Sequence, residues 1–117
     1  IAGGTTTYSS EEEMLNSPPA NRITDPAALS SFIGHRRAYE IYRDSNINWT
    51  IVTPPMSVVG YRSGRDQRTG SYKTAINNGF VVDAEGENSI FMSDLAVAAV
   101  DFAESGEFNR TKVAVGN

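Results

Sequence analysis

A histidine followed by two arginines, His35-Arg36-Arg37, is one set of side chains that could take part in catalysis or ligand binding. An imidazole can act as a general acid near neutral pH, which makes His35 a candidate catalytic residue. A guanidinium can pair with a phosphate group. The competing interpretation is that His35 is a structural or surface histidine and that the arginines are solvated charges on a helix. Both interpretations remain open at this point.

A second set is Tyr72-Lys73, within Gly70-Ser71-Tyr72-Lys73. A lysine near a tyrosine can lower the phenol pKa and give the acid–base pair of a dehydrogenase. Adjacent residues on a strand point to opposite faces, however, so this spacing disfavours a catalytic pair. The sequence has no Tyr-x-x-x-Lys motif.

Two stretches resemble the carboxyl ends of strands, where ligands of open α/β sheets bind. Ile1-Ala2-Gly3-Gly4-Thr5 is apolar and then glycine-rich, which lets another group approach the backbone closely. Thr53-Pro54-Pro55 ends a run rich in β-branched and aromatic residues. The alternatives are a plain turn for the first stretch and an ordinary buried strand for the second.

Composition narrows the kinds of site. The chain has no cysteine and one histidine, which excludes disulfides and the usual thiolate or multi-histidine metal sites, so we predict no metal. Because three adjacent carboxylates diverge, Glu11-Glu12-Glu13 favours a solvated loop. The net charge of -4 disfavours nucleic acid, and no apolar run is long enough to span a bilayer. We expect a cytoplasmic protein that binds neither nucleic acid nor membranes.

The elements that would position these groups follow from local signals. Thr24-Asp25-Pro26 is typical of a helix start, because a side-chain oxygen caps free N–H groups and proline suits the first turn. That helix is predicted to run through Arg43, with a small or apolar stripe that permits close approach to a sheet. The stripe consists of Gly34, Ala38, Ile41 and Ser45.

The rest of the chain alternates between strands, loops and one buried helix. We predict a loop over residues 3–23, an irregular basic segment over 58–79, and a helix from Leu95 to Glu104 capped by Ser93-Asp94. The predicted strands are 49–53, 80–82, 90–92 and 111–115. This order predicts an α/β fold, with the latter part of a parallel sheet, flanking helices and a small irregular lobe.

Taken in order, these pieces resemble a known family. The passage Ser45-Asn46-Ile47-Asn48-Trp49-Thr50-Ile51-Val52-Thr53-Pro54-Pro55 is similar to the helix-to-strand passage of the NmrA-like NAD(P)H-binding proteins, atypical members of the short-chain dehydrogenase/reductase group. Gly70-Ser71-Tyr72 followed by Ile90-Phe91-Met92-Ser93-Asp94-Leu95 is similar to their later strand and buried helix. Ile1-Ala2-Gly3-Gly4-Thr5 resembles the end of the preceding strand.

The resemblance implies that residues 1–117 are a single domain segment, the C-terminal part of a Rossmann-like domain. It also implies that a glycine-rich half, which binds the cofactor pyrophosphate, precedes Ile1. Two departures stand out. Thr53 occupies a position that is often arginine in the family, and His35 lies near the position of the family's helix lysine.

By this resemblance the intact protein binds NAD(P)H and transfers hydride to a small carbonyl, flavin or quinone acceptor. The residues implied for the nicotinamide side are Gly3, Gly4, Thr5, Thr53, Pro54 and Pro55, and those for the substrate lobe are Tyr61 and Tyr72. The alternatives are a non-enzymatic NAD(P)H-sensing regulator and a cofactor-free interaction module. The expected partners are a small-molecule substrate and the N-terminal half or a second copy, and this segment alone is not expected to bind NAD(P)H tightly.

Overall fold

The computed structural model describes residues 6, 8–55, 57–60, 63–76, 79 and 81–117. The chain divides into two compact units, Ala2–Ile47 and Asn48–Asn117, called here the N-terminal and C-terminal units. The prediction of a single domain segment stays a prediction.

The N-terminal unit is built from three helices. They are α1 (Glu11–Leu15), α2 (Pro18–Asn21) and α3 (Pro26–Asp44). The prediction of a loop before residue 24 was wrong, because serine caps start two short helices there. Ser10 accepts a hydrogen bond from the Glu13 amide, and Ser17 accepts one from the Ala20 amide.

The start of α3 is as predicted. Asp25 is its N-cap and accepts a hydrogen bond from the Ala27 amide at 3.1 Å, and Pro26 is its first residue. The predicted stripe is not the buried face of this helix, since Gly34 is exposed and Ile41 is 69% exposed. The buried residue of α3 is Arg36.

Arg36 excludes the interpretation that both arginines are solvated charges. Its guanidinium donates to Glu40 at 2.9 Å, to the Ser9 carbonyl at 3.0 Å and to the Tyr8 carbonyl, and it is 1% exposed. Arg37 forms a bidentate ion pair with Glu11, in which Nε and Nη2 of the guanidinium donate to the two carboxylate oxygens at 2.9 and 2.8 Å. Both guanidiniums therefore bind protein groups and tie the start of this unit to α3.

The C-terminal unit contains five strands and one long helix. In chain order they are β1 (Thr50–Thr53), β2 (Ser57–Val59), β3 (Lys73–Ile76), β4 (Ser89–Phe91), α4 (Met92–Ser105) and β5 (Thr111–Gly116). Residues 60–72, between β2 and β3, are called here the lobe. Residues 81–82, predicted as strand, are described as irregular, and residue 80 lies outside the described residues.

Two sheets organise these strands. The first has the order β1-β5-β3, with β1 parallel to β5 and β3 antiparallel to β5. The second pairs β2 with β4 in parallel. The α/β prediction is confirmed, and the parallel arrangement is extended by one antiparallel strand that sequence reasoning left inside an irregular segment.

The core of this unit lies between α4 and the strands. It consists of Val52, Ile90, Leu95, Ala98, Phe102, Val113 and Val115. Phe102 also makes edge-to-face contacts with Phe108 and Tyr72, at centroid distances of 4.7 and 5.6 Å. The helix ends at Gly106, which adopts φ 65°, a left-handed conformation that glycine accommodates without strain. Because β1 and β5 run parallel, their carboxyl ends share one edge of the sheet.

Candidate functional site

The carboxyl edge of β1 and β5 is the first feature of the candidate site. β1 ends at Thr53, and Pro54 and Pro55 cannot donate to a ladder. Because Thr53 pairs with Ala114, β5 extends beyond β1 toward Asn117. Thr53 and Pro54 are half-buried and Pro55 is buried, so this edge offers one hydroxyl beside an apolar wall.

A buried carboxylate connects the lobe to this edge. Asp94, fully buried in the first turn of α4, accepts hydrogen bonds from the Thr69 hydroxyl at 2.6 Å and the Gly70 amide at 2.9 Å. It also accepts one from the Asn117 side-chain amide at 2.9 Å. Burial raises the pKa of the Asp94 carboxyl, but these hydrogen bonds together outweigh burial and hold the pKa below its ordinary value.

Asn117 is the centre of this connection. Its side-chain amide also donates to the Ser71 carbonyl at 2.9 Å, and its side-chain oxygen accepts from the Phe91 amide at 2.7 Å. Asn117 therefore joins the end of β5 to the lobe, to β4 and to α4. The lobe is thereby placed at the carboxyl edge of the parallel pair β1–β5.

A second aspartate fixes the middle of the lobe. Asp66 accepts hydrogen bonds from the Ser93 amide at 3.0 Å and from the Ser93 hydroxyl, and these lower the pKa of its carboxyl. Gly60 permits the approach, because a Cβ there would lie 2.5 Å from the Asp66 Cβ. The predicted Ser93-Asp94 cap was wrong: the N-cap position is Phe91, and Asp66 from the lobe binds the helix start instead.

Tyr72 lies at the end of the lobe and faces α4. Its hydroxyl donates to Asp101 at 2.8 Å. Burial, with a smaller contribution from Asp101, raises the pKa of Tyr72 to about 12. Among the described residues, the groups that shift this pKa are acidic, and the expectation that Tyr72 and Lys73 are not a catalytic pair stays a prediction.

The other predicted residues are distributed as follows. Gly3, Gly4, Thr5 and Tyr61 lie outside the described residues. His35 is exposed on α3 in the N-terminal unit, whereas Thr53, Pro54, Pro55 and Tyr72 belong to the C-terminal unit. Sequence reasoning missed Asp66, Thr69 and Asn117. One available signal was Asp94 itself, a charged residue in the first turn of a helix rich in alanine and valine.

A cavity of about 590 Å³ opens at the other end of the C-terminal unit. It is lined by the start of β1 and the end of α4, including Trp49, Thr50, Phe102 and Gly106. Ligands of open α/β folds bind at the carboxyl ends of the strands, and this cavity lies by the amino end of β1. We therefore place the candidate site at the carboxyl edge.

Two further properties concern the described residues alone. Within them, no group of three or more histidine, aspartate or glutamate side chains is arranged to hold a metal ion. No helix in the described part of the chain combines the length and apolar character needed to cross a membrane.

Solved structures similar to this chain share its fold. A Streptococcus pneumoniae protein, named as a candidate NADH-flavin reductase, is 21% identical with a TM-score of 0.70, over 100% of this chain and 53% of its own. A candidate exported protein from Burkholderia pseudomallei is 23% identical with a TM-score of 0.64, over 98% of this chain and 52% of its own. A candidate epimerase from Bacteroides thetaiotaomicron is 19% identical with a TM-score of 0.60, over 89% of this chain and 44% of its own.

These similarities define the class of fold. The chain has an α/β, Rossmann-like architecture and spans about half the length of the solved structures that it matches. No family model matches the chain, and no curated protein matches it. The NmrA-like assignment and the cytoplasmic location stay predictions.

Proposed function

We propose that this chain is part of an NAD(P)H-binding oxidoreductase and forms the nicotinamide-side wall and the acceptor-binding lobe. The observation that carries the proposal is the anchoring of the lobe at the carboxyl edge of β1 and β5 by Asp94 and Asn117. In open α/β sheets this edge is where ligands bind. The name of the similar Streptococcus pneumoniae structure, a candidate NADH-flavin reductase, supports the proposal of an NAD(P)H-binding oxidoreductase.

The residues at this edge fit one end of a nicotinamide dinucleotide. Thr53 would offer a hydroxyl to the carboxamide, and the half-buried Pro54 would present an apolar surface to the ring. Pro55 is buried and would support this wall from within the fold. When bound, such a cofactor supplies the hydride. Gly3, Gly4 and Thr5 lie outside the described residues, and their assignment to the nicotinamide side stays a prediction.

Among the three acceptor classes, the described residues favour a flavin or quinone over a carbonyl. Reduction of a carbonyl develops an alkoxide, which needs a proton donor held close to it. The Tyr72 hydroxyl is committed to Asp101 and its pKa is raised to about 12, so it is a poor donor at neutral pH. A reduced flavin or quinone is a weaker base than an alkoxide and can take its proton from water.

The test is oxidation of NADH and NADPH by the intact protein with flavin, quinone and aldehyde acceptors, followed at the nicotinamide absorbance band. Turnover with a flavin or quinone that exceeds turnover with aldehydes is the expected result. Tyr72→Phe should leave that rate within about twofold, because the substitution keeps the aromatic ring and removes one hydrogen bond, from the Tyr72 hydroxyl to Asp101. Cofactor binding without turnover would instead support the regulator, and no binding would support the cofactor-free module.

A further inference from the structure

The lobe concentrates positive charge in an otherwise acidic chain. Its sequence contains Arg62, Arg65 and Arg68 against the single acid Asp66, whereas the whole chain has a net charge of -4. Arg65 and Arg68 are exposed, and neither forms an ion pair among the described residues. Arg62 lies outside the described residues.

The only acid of the lobe does not neutralise these arginines by contact. The Asp66 carboxylate is directed to the start of α4, where both of its oxygens accept hydrogen bonds from Ser93. The guanidiniums on either side of it in sequence are therefore left for another anion.

The backbone that carries the arginines is held at several points. Asp66, the residue after Arg65, accepts a hydrogen bond from the Ser93 amide. Thr69 and Gly70, the two residues after Arg68, donate hydrogen bonds to Asp94. Each exposed arginine thus adjoins an anchored residue in a glycine-containing loop. A guanidinium on a fixed backbone loses less conformational freedom when it binds an anion, which favours affinity.

From this arrangement we infer that the lobe binds the anionic group of a small acceptor, a phosphate or a carboxylate, through Arg65 and Arg68. Guanidinium groups bind both anions through paired N–H donors. This inference rests on the proposed function for the role of the acceptor, and it assigns the charge that the acceptor carries. The lobe is anchored at the same carboxyl edge to which the nicotinamide wall is assigned, and ligands of open α/β sheets bind at that edge.

The decisive probes are pairs of molecules that differ in one anionic group. Riboflavin and its 5′-phosphate differ by a phosphate, and benzaldehyde and 4-carboxybenzaldehyde differ by a carboxylate. Binding to the intact protein is measured without NAD(P)H, by flavin fluorescence for the first pair and calorimetry for the second. This readout is independent of turnover, so failure of the proposed activity is distinguishable from failure of the anion site.

The expected result is tighter binding of the anionic member of at least one pair, and the pair that shows the preference identifies the anion. Arg65→Gln and Arg68→Gln should each raise the Kd of that member about tenfold, the size expected for one lost charge-assisted interaction. They should leave the neutral member unchanged. Arg22→Gln, which removes an exposed arginine from the other unit, is the matched control.

Two results would overturn the inference. One is equal binding of the charged and neutral members in both pairs. The other is a loss of anion binding in Arg22→Gln as large as in the lobe variants, which would show a general charge effect. Circular dichroism of each variant verifies that the fold is intact, as expected for substitutions of exposed side chains.

Discussion

The side chains of Asp94 and Asn117 are joined by a hydrogen bond of 2.9 Å, and this contact connects the first turn of α4 to the end of β5. Asp94 receives two more hydrogen bonds from the lobe, through Thr69 and Gly70. The carboxylate is fully buried and acceptor-only when ionised, so every donor directed at it is satisfied. The same residue therefore stabilises the fold and places the proposed acceptor lobe.

Asp94→Asn should destabilise the protein by about 1–3 kcal/mol, because an amide nitrogen would face one of the three donors that the carboxylate satisfies. Urea unfolding at neutral pH measures this difference. Glu104→Gln is the control, since Glu104 is an exposed carboxylate on the same helix. Equal unfolding midpoints for the two variants would contradict the assigned role of Asp94.

The pH dependence of the stability difference between wild type and Asp94→Asn follows from the lowered pKa of Asp94. A carboxyl whose pKa is lower in the folded state contributes stability above its unfolded value of about 3.9. This stability is lost as pH falls through that value toward the lowered folded pKa. The difference in unfolding free energy between wild type and Asp94→Asn should therefore be constant near neutrality and shrink below about pH 4. A difference that grows on acidification would have the wrong sign.

Tyr72 gives a prediction at the alkaline end. Its pKa is raised to about 12, so its phenol should ionise as a late component of an alkaline titration. Its stabilising effect should be complete below the ordinary tyrosine value of about 10 and be lost between that value and the folded pKa. In a spectrophotometric titration, Tyr72→Phe should remove the late component, whereas Tyr42→Phe should leave it in place. Persistence of the late component in Tyr72→Phe would refute the assignment.

The elements that could be predicted from sequence carry strong local signals. The Asp25-Pro26 cap, the β-branched run of β1, the apolar helix α4 and the alternating β5 were each placed to within a few residues. Each strand or helix buries one face, so apolar residues recur about every two residues in a strand and every three to four residues in a helix. The α/β class follows from these four elements alone.

What sequence reasoning missed depends on contacts between distant residues or on very short elements. β3 shows little burial, so its pairing with β5 leaves no alternation to detect. The helices α1 and α2 have five and four residues and rest on single serine caps. The bonds of Asp94 span 23 to 25 residues, and Arg36 reaches back 27 or 28 residues to Ser9 and Tyr8.

Arg36→Lys should destabilise the protein by about 1–3 kcal/mol, the range for leaving buried hydrogen-bond acceptors without a donor. An ammonium cannot reproduce the planar fork that reaches Glu40 and two backbone carbonyls together. Thermal unfolding measures the effect, with Arg22→Lys as the exposed control. A loss no greater than that of Arg22→Lys would show that the Arg36 contacts contribute little.

Two glycines form an opposed pair of predictions. At Gly116 a Cβ would lie 2.8 Å from Val81 Cγ1, so Gly116→Ala should overpack the end of β5 and cost about 1–3 kcal/mol. At Gly34, in the middle of α3, no atom of the described residues lies within 4 Å of an added Cβ, so Gly34→Ala should stabilise the helix by about 0.5–1 kcal/mol. Urea unfolding compares the two variants. Val81→Ala in the Gly116→Ala background should recover part of the loss, and no recovery would exclude overpacking as the cause.

The 117-residue chain on its own should bind NADPH no more tightly than about 1 mM, or roughly -4 kcal/mol. Dinucleotide affinity in this class of fold relies on the backbone N–H groups of a glycine-rich turn and on the helix N-terminus that follows it. The carboxyl edge described here offers the Thr53 hydroxyl and an apolar wall, and the start of α4 is already bound by the Asp66 carboxylate. Arg65 and Arg68 would add electrostatic attraction without a fitted pyrophosphate site. Calorimetric titration of the folded chain tests this directly, and a micromolar dissociation constant would show that the chain holds a complete dinucleotide site by itself.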